Sequence, residues 1–237
     1  MTKLKFVVTG SGRSGTNYMC RFLTSVGIMC GHESIFTNEG LTEAVYRLND
    51  DKLVTTSLCS LDETSWFDAK KQIAESSYLA APYLDDTVLE NTKIIHLIRN
   101  PLKVISSTHI DANFFNPEEK IQEPFVNFVY SHLPQLKLIE NRLEKNIIYY
   151  IFWNKMIEEK CKNRNVFLHK IENGITEELF EFLEIKPTIK YYNNNKSNSW
   201  NIRKKDLDFE NISKNYISSI LYDMMEKYDY LPKKCLI

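Results

Sequence analysis

Leu4-Lys5-Phe6-Val7-Val8-Thr9-Gly10-Ser11-Gly12-Arg13-Ser14-Gly15-Thr16-Asn17 is the stretch on which the fold turns. Its first six residues form a short β-branched and aromatic run, the composition of a strand. From Thr16 to Val26 the apolar residues Met19, Phe22, Leu23 and Val26 recur at the spacing of one helix face. A strand, a glycine loop and a helix in that order aim backbone N–H groups and a helix N-terminus at one anionic oxygen. A phosphate-sized group is expected there. A tight turn with a surface charge is the plainer alternative, and the strand and helix on either side count against it.

The spacing from Gly10 to Gly15 matches the start of a Walker A loop, but Thr16-Asn17 stands where Lys-Ser/Thr should follow. The cation is instead Arg13, inside the loop, whose planar fork can bridge two oxygens. A second apolar run, Lys93 to Ile98, lacks polar alternation and reads as a strand buried on both faces. It ends at Arg99-Asn100-Pro101, with Pro101 suited to a helix first turn and Ser107 two turns further on. Arg99 and Ser107 form a candidate second anion site, against the alternative of a surface arginine at a helix start. No acidic residue is read at the end of a buried strand, which disfavours Mg-ATP chemistry.

Elsewhere, Val166-Phe167-Leu168-His169 reads as another core strand and Thr176 to Leu183 as a short capped helix. Helices are expected at about 41–49, 66–80, 119–145 (interrupted by Pro124 and Pro134), 147–163 and 211–228. Strands alternating with helices imply a parallel sheet. Residues 186–205 are polar and Asn-rich, the composition of an exposed loop.

Thirty Lys plus Arg against thirty-one Asp plus Glu leave a formal charge of -1, so no net basic field exists to hold a nucleic acid. No apolar stretch approaches the roughly 20 residues that span a bilayer, and neither a signal peptide nor a prenylation box is read. Cys20, Cys30, Cys59, Cys161 and Cys235 are odd in number and scattered, which argues against a disulfide framework and a zinc site. A cytoplasmic protein without membrane or nucleic-acid partners is the expectation.

Arg13-Ser14-Gly15-Thr16 together with Arg99-Asn100-Pro101 and Ser107 resembles the two anion loops of the sulfotransferases that use 3′-phosphoadenosine 5′-phosphosulfate (PAPS). The likeness extends to Trp153 and to the segment Asn165 to Ile185 with Glu172 and Phe182-Leu183-Glu184. It implies one α/β domain over residues 1–237, a P-loop NTPase-like parallel sheet flanked by many helices. It also implies PAPS as donor, its desulfated form PAP as product, and no metal. Carried over, Gly12, Arg13, Ser14, Gly15, Thr16 and Asn17 would hold the 5′-phosphosulfate, and Arg99 and Ser107 the 3′-phosphate. Tyr18 falls where cytosolic members stack a tryptophan on adenine; a packed helix residue is the alternative. Arg203-Lys204-Lys205 resembles a late basic loop that closes on the 3′-phosphate, with Lys205 where a glycine is usual. Ile171-Glu172-Asn173 stands where those members have Tyr-Glu-Asp.

Sulfuryl transfer moves a group through a loose transition state, so positioning and charge stabilisation dominate, with Arg13 as the clamp on the phosphosulfate. The acceptor, a hydroxyl (or amine) of a small molecule, carbohydrate or peptide, needs its proton removed. Cys30-Gly31-His32-Glu33 resembles the Cys-Gly-Glu-Glu of the tyrosylprotein sulfotransferases, which makes Glu33 the expected base. His32, with an ordinary pKa near 6.5, is the second candidate and His109 the third. Phe36, Trp66, Tyr83, Phe114 and Phe115 are candidates for lining an acceptor pocket, or are core aromatics. A nucleotide kinase and a non-catalytic nucleotide-binding module are the alternatives. The acceptor and the oligomeric state are left open.

Overall fold

The computed structural model describes residues 4–49, 72–186 and 216–231. Five short strands, β1 (Phe6–Thr9), β2 (Cys30–His32), β3 (Ala74–Ser76), β4 (Lys93–Ile98) and β5 (Val166–Lys170), pair in the order β2-β3-β1-β4-β5. Every pairing is parallel. Helices α1 (Thr16–Ser25), α2 (Leu41–Asn49), α3 (Pro101–Ser106), α4 (Glu123–His132), α5 (Arg142–Lys160), α6 (Glu177–Leu183) and α7 (Tyr216–Lys227) accompany the sheet. The α/β class is as expected, and the strand order is consistent with a P-loop-like fold.

Two compact units are distinguished, one of residues up to 98 together with 154–186 and one of residues 99–153 together with 216–231. In the first, β1 and β4 are the central pair, with Val7, Val8, Ile94, Ile95, Leu97 and Ile98 all buried. Parallel strands covered on both faces have no use for alternation, which explains their unbroken apolar runs. One face of the sheet meets Met19, Phe22 and Leu23 of α1 and Leu179, Phe180 and Leu183 of α6 in a single cluster. Phe22 and Phe180 meet edge to face at 5.9 Å. α6 begins as read from the sequence, with the Thr176 hydroxyl oxygen accepting from Leu179 N at 3.3 Å.

The second unit holds α3, α4 and α7. Its core is aromatic: Phe114, Phe115 and Tyr149 form a contiguous set of rings with centroids 4.6 to 5.8 Å apart. Trp153 continues the set at 5.4 Å from Tyr149.

Three expectations need correction. The helix expected over 66–80 is instead, from residue 72 onward, β3 followed by a 3-10 turn over Tyr78–Tyr83. The two helices expected over 119–145 and 147–163 are divided differently. Pro124 lies in the first turn of α4, where a missing N–H costs nothing, and α5 runs unbroken through 145–147. Finally, β2 and β3 were not expected at all; each is three residues long. Among the described residues Cys30 and Cys161 are free and buried. Among the described residues no helix is long and apolar enough to cross a membrane.

Candidate functional site

The glycine loop joins β1 to α1 as the sequence implies. Gly15 has φ 107°, a backbone conformation that favours glycine, and a Cβ there would push aside the end of the Ile171 side chain, 2.1 Å away. It is also the N-cap of α1, which therefore starts with no side-chain cap and no acidic residue in its first turn. A helix start of that kind carries N–H groups and partial positive charge with no carboxylate to neutralise them. Arg13 is exposed and adopts φ 70°, lifting its side chain out of the tight turn. Ser14 is buried, with its Oγ 2.8 Å from Ser11 Oγ and its N–H donating to Ser11 O at 3.1 Å. These bonds stiffen the turn from within. Gly12 is half-buried and Asn17 exposed. Tyr18 is half-buried and packs against the core cluster of α1 and α6, and burial raises its hydroxyl pKa.

The next strand brings the candidate bases to this loop. Thr16 Oγ1 lies 3.2 Å from His32 Nε2, and His32 Nε2 lies 3.8 Å from Glu33 Oε1. Ser76, at the end of β3, donates its hydroxyl to Thr16 O at 2.7 Å. Burial, aided by the positive charge of Arg21, lowers the His32 pKa to about 4. Burial, aided by the negative charge of Glu75, raises the Glu33 pKa to about 7. Two adjacent groups thus have their affinities pushed in opposite directions. Glu33 ends near neutrality, the range a proton-transfer group needs, while His32 is neutral throughout it.

Glu75 is the residue that sequence reasoning missed: an acid within a strand, not at its end, where Ser76 stands. It is fully buried in the middle of β3. Its Oε1 accepts from Ser34 N at 2.7 Å and Ile35 N at 2.9 Å; its Oε2 accepts from Ser34 Oγ at 2.6 Å and Gln72 Nε2 at 2.8 Å. Burial pushes its pKa up and these donors pull it back. The cluster sits against Gly31, where a Cβ would lie 2.1 Å from Ser34 Oγ and 2.4 Å from Glu75 Oε2. The one available signal was the pair Ser76-Ser77, since the Ser77 Oγ accepts from Leu79 N and starts the following turn.

In the second unit Arg99 is half-buried and follows β4 directly. Its carbonyl accepts from the Tyr150 hydroxyl at 3.1 Å. Asn100 Oδ1 accepts from Leu102 N at 3.0 Å and Lys103 N at 3.3 Å, so α3 has its own cap. Ser107 is buried at the end of α3, where the helix widens into a π turn over Ser107–Asp111. His109 lies in that turn with its Nδ1 buried and lacking a hydrogen-bond partner among the described residues. Burial, with the charge of Arg142, lowers its pKa.

Phe36 is fully buried and stacks on Tyr83 at 6.2 Å. Phe114 and Phe115 belong to the ring cluster of the second unit. Phe36, Phe114 and Phe115 are core, while Tyr83 is half-buried. Trp66, most of the 186–205 segment and the basic Arg203-Lys204-Lys205 lie outside the described residues. Among the described residues no group of three or more His, Cys, Asp or Glu side chains could hold a metal ion. Comparison with family models found no match, and comparison with curated proteins found none either.

Proposed function

We propose that this chain is a sulfotransferase that moves a sulfuryl group from PAPS to a hydroxyl or amine acceptor. The observation that carries the reading is the contact of the uncapped glycine loop with His32, the neighbour of Glu33. Thr16 of the loop is 3.2 Å from His32, and the neighbouring carboxyl has its affinity raised to about 7. An anion cradle beside a proton acceptor tuned to neutrality suits transfer of an anionic group onto a hydroxyl.

PAPS, when bound, supplies the sulfuryl group and the nucleotide phosphate that leaves. Gly12 through Asn17 would hold the phosphosulfate. Arg13 would carry the charge that builds as the phosphate departs. Glu33, ionised above about pH 7, takes the acceptor's proton at its carboxylate. His32 is a poor proton acceptor with its pKa near 4, so Glu33 is preferred to it.

The nucleotide kinase reading draws one observation of its own, the acidic residue on β3 beside β1. Two facts weigh against it. Glu75 has both carboxylate oxygens engaged by protein donors, and the residue of β3 that touches the glycine loop is Ser76. The test is thermal melting with PAP and, separately, with ATP and Mg²⁺. PAP at a hundred times its Kd raises stability by about 2.7 kcal/mol and Mg-ATP leaves the melt unmoved. The reverse result removes the sulfotransferase reading.

A further inference from the structure

Three consecutive N–H groups on the chain leaving β2 are taken up by one short strand. Glu33 N donates to Ser76 O at 3.3 Å, and Ser34 N and Ile35 N both donate to Glu75 Oε1. Glu33 itself adopts φ 52°, a conformation non-glycine residues seldom hold unless neighbours fix it. A buried carboxylate is a costly way to tie down a turn, since burial opposes its charge and an apolar side chain would pack without that penalty. Its shell consists of donors alone, two backbone N–H groups, one hydroxyl and one amide, which is the shell of an ionised carboxylate.

We propose that Glu75 is the positioning residue of this site, its carboxylate gathering Ser34, Ile35 and Gln72 so that the turn presents Glu33 beside His32. The proposal rests on the reading of Glu33 as the group that takes the acceptor's proton. Glu75 touches neither donor nor acceptor; it acts through Glu33 alone, by shape and by charge. Among the described residues, the charged and titratable groups tied to Glu33 or to its neighbours come from three strands and helices. From β2 come His32, and Cys30, whose thiol is pushed well above its ordinary range by burial and by Glu75. From α1 comes Arg21, whose charge bears on His32. From β3 comes Glu75, whose charge bears on Glu33 directly.

The test is a carboxyl NMR titration of Glu33 in the nucleotide-free protein, its signal identified by its loss in Glu33→Gln, with and without Glu75→Gln. The expected result is a midpoint near 7 in the parent chain, falling by about one pH unit in the variant. The acidic limb of the transfer rate moves with it, and kcat falls while the affinity for PAP is kept. If Glu75→Gln does not fold, Ser34→Ala removes the 2.6 Å donor, making Glu75 harder to ionise, and the Glu33 midpoint falls by a smaller step in the same direction. A midpoint that stays in place in a folded variant overturns the proposal. The titration needs no nucleotide, so it decides on Glu75 even if PAP fails to bind; that failure would strike the sulfotransferase reading instead.

Discussion

The two sides of the sheet are built on opposite principles. On one, β4 lies against β1 and β5 with five consecutive buried residues, Ile94 to Ile98, four of them aliphatic. On the other, β2 and β3 are three residues each, and β3 buries Ala74, Glu75 and Ser76. The first side is held by apolar area, which has no direction and little dependence on pH. The second is held by a donor shell around one carboxylate, which is directional and tied to protonation. Candidate chemistry gathers on the polar side, where His32, Glu33 and Glu75 lie together and the charge of Glu75 adds to the burial that raises the proton affinity of Glu33.

The sharpest way to break that contrast is Glu33→Gln. The amide keeps the volume and cannot accept a proton, so the sulfuryl transfer rate falls by about 10²- to 10⁴-fold while PAP binding is retained. A rate within a factor of two of the parent, in an assay with PAPS and a phenolic acceptor, would hand the proton to another group and leave the polar side purely structural.

Leu97→Ala makes the complementary cut on the apolar side. Leu97 is fully buried in the cluster with α1 and α6, so truncation costs about 3 kcal/mol in a urea melt. The loss should be the same at pH 5 and pH 8, because the nearest packing partners in that cluster do not titrate.

These two sides also differ in how much of them the sequence reveals. Lys93 to Ile98 announces itself, since six residues of nearly unbroken hydrophobicity ending in Arg-Asn-Pro satisfy both the composition and the punctuation of a buried strand. The loop from Gly10 to Gly15 and the Thr176 cap are equally plain, because each needs one residue type at one place. β3 is invisible by the same rules. Three residues that include a glutamate give no periodicity, and Ala-Glu-Ser inside a window of helix formers reads as helix. Its strand character comes wholly from pairing with β1 and β2 on either side, a long-range effect that no local window contains. Glu33 was legible as a candidate through its neighbours Cys30, Gly31 and His32. What raises it, a charge forty-two positions away in the chain, was not.

Gly31→Ala probes the polar side without touching a charge. The added methyl meets Ser34 Oγ, Gln72 Nε2 and Glu75 Oε2 within 2.4 Å, so the donor shell must open. Overpacking of this kind costs about 2 kcal/mol, read as a shift in the urea midpoint. A neutral result would mean the cluster yields easily, and the polar side would then be no better fixed than an ordinary surface turn.

The smallest effect is the one that separates the two sides by their dependence on pH. Glu33 keeps its proton to about pH 7 in the folded chain and releases it near 4.5 when unfolded. Its contribution to folding is therefore complete below pH 4.5 and is lost as the pH rises through 7. His32 behaves in the opposite sense: with a folded value of about 4 against 6.5 unfolded, its contribution is complete above pH 6.5 and is lost as the pH falls through 4. In the parent chain the two trends oppose each other between pH 4.5 and 6.5. Glu33→Gln removes one of them. Relative to the parent, that variant should gain on the order of 2 kcal/mol between pH 5 and pH 8, allowing for solvent screening of a half-buried group. His32→Gln should lose ground over the same interval, and Leu97→Ala should do neither. Parallel urea melts of the three variants at the two pH values decide it: a Glu33→Gln difference that does not change with pH would place its carboxyl in an ordinary solvated setting and erase the contrast between the two sides.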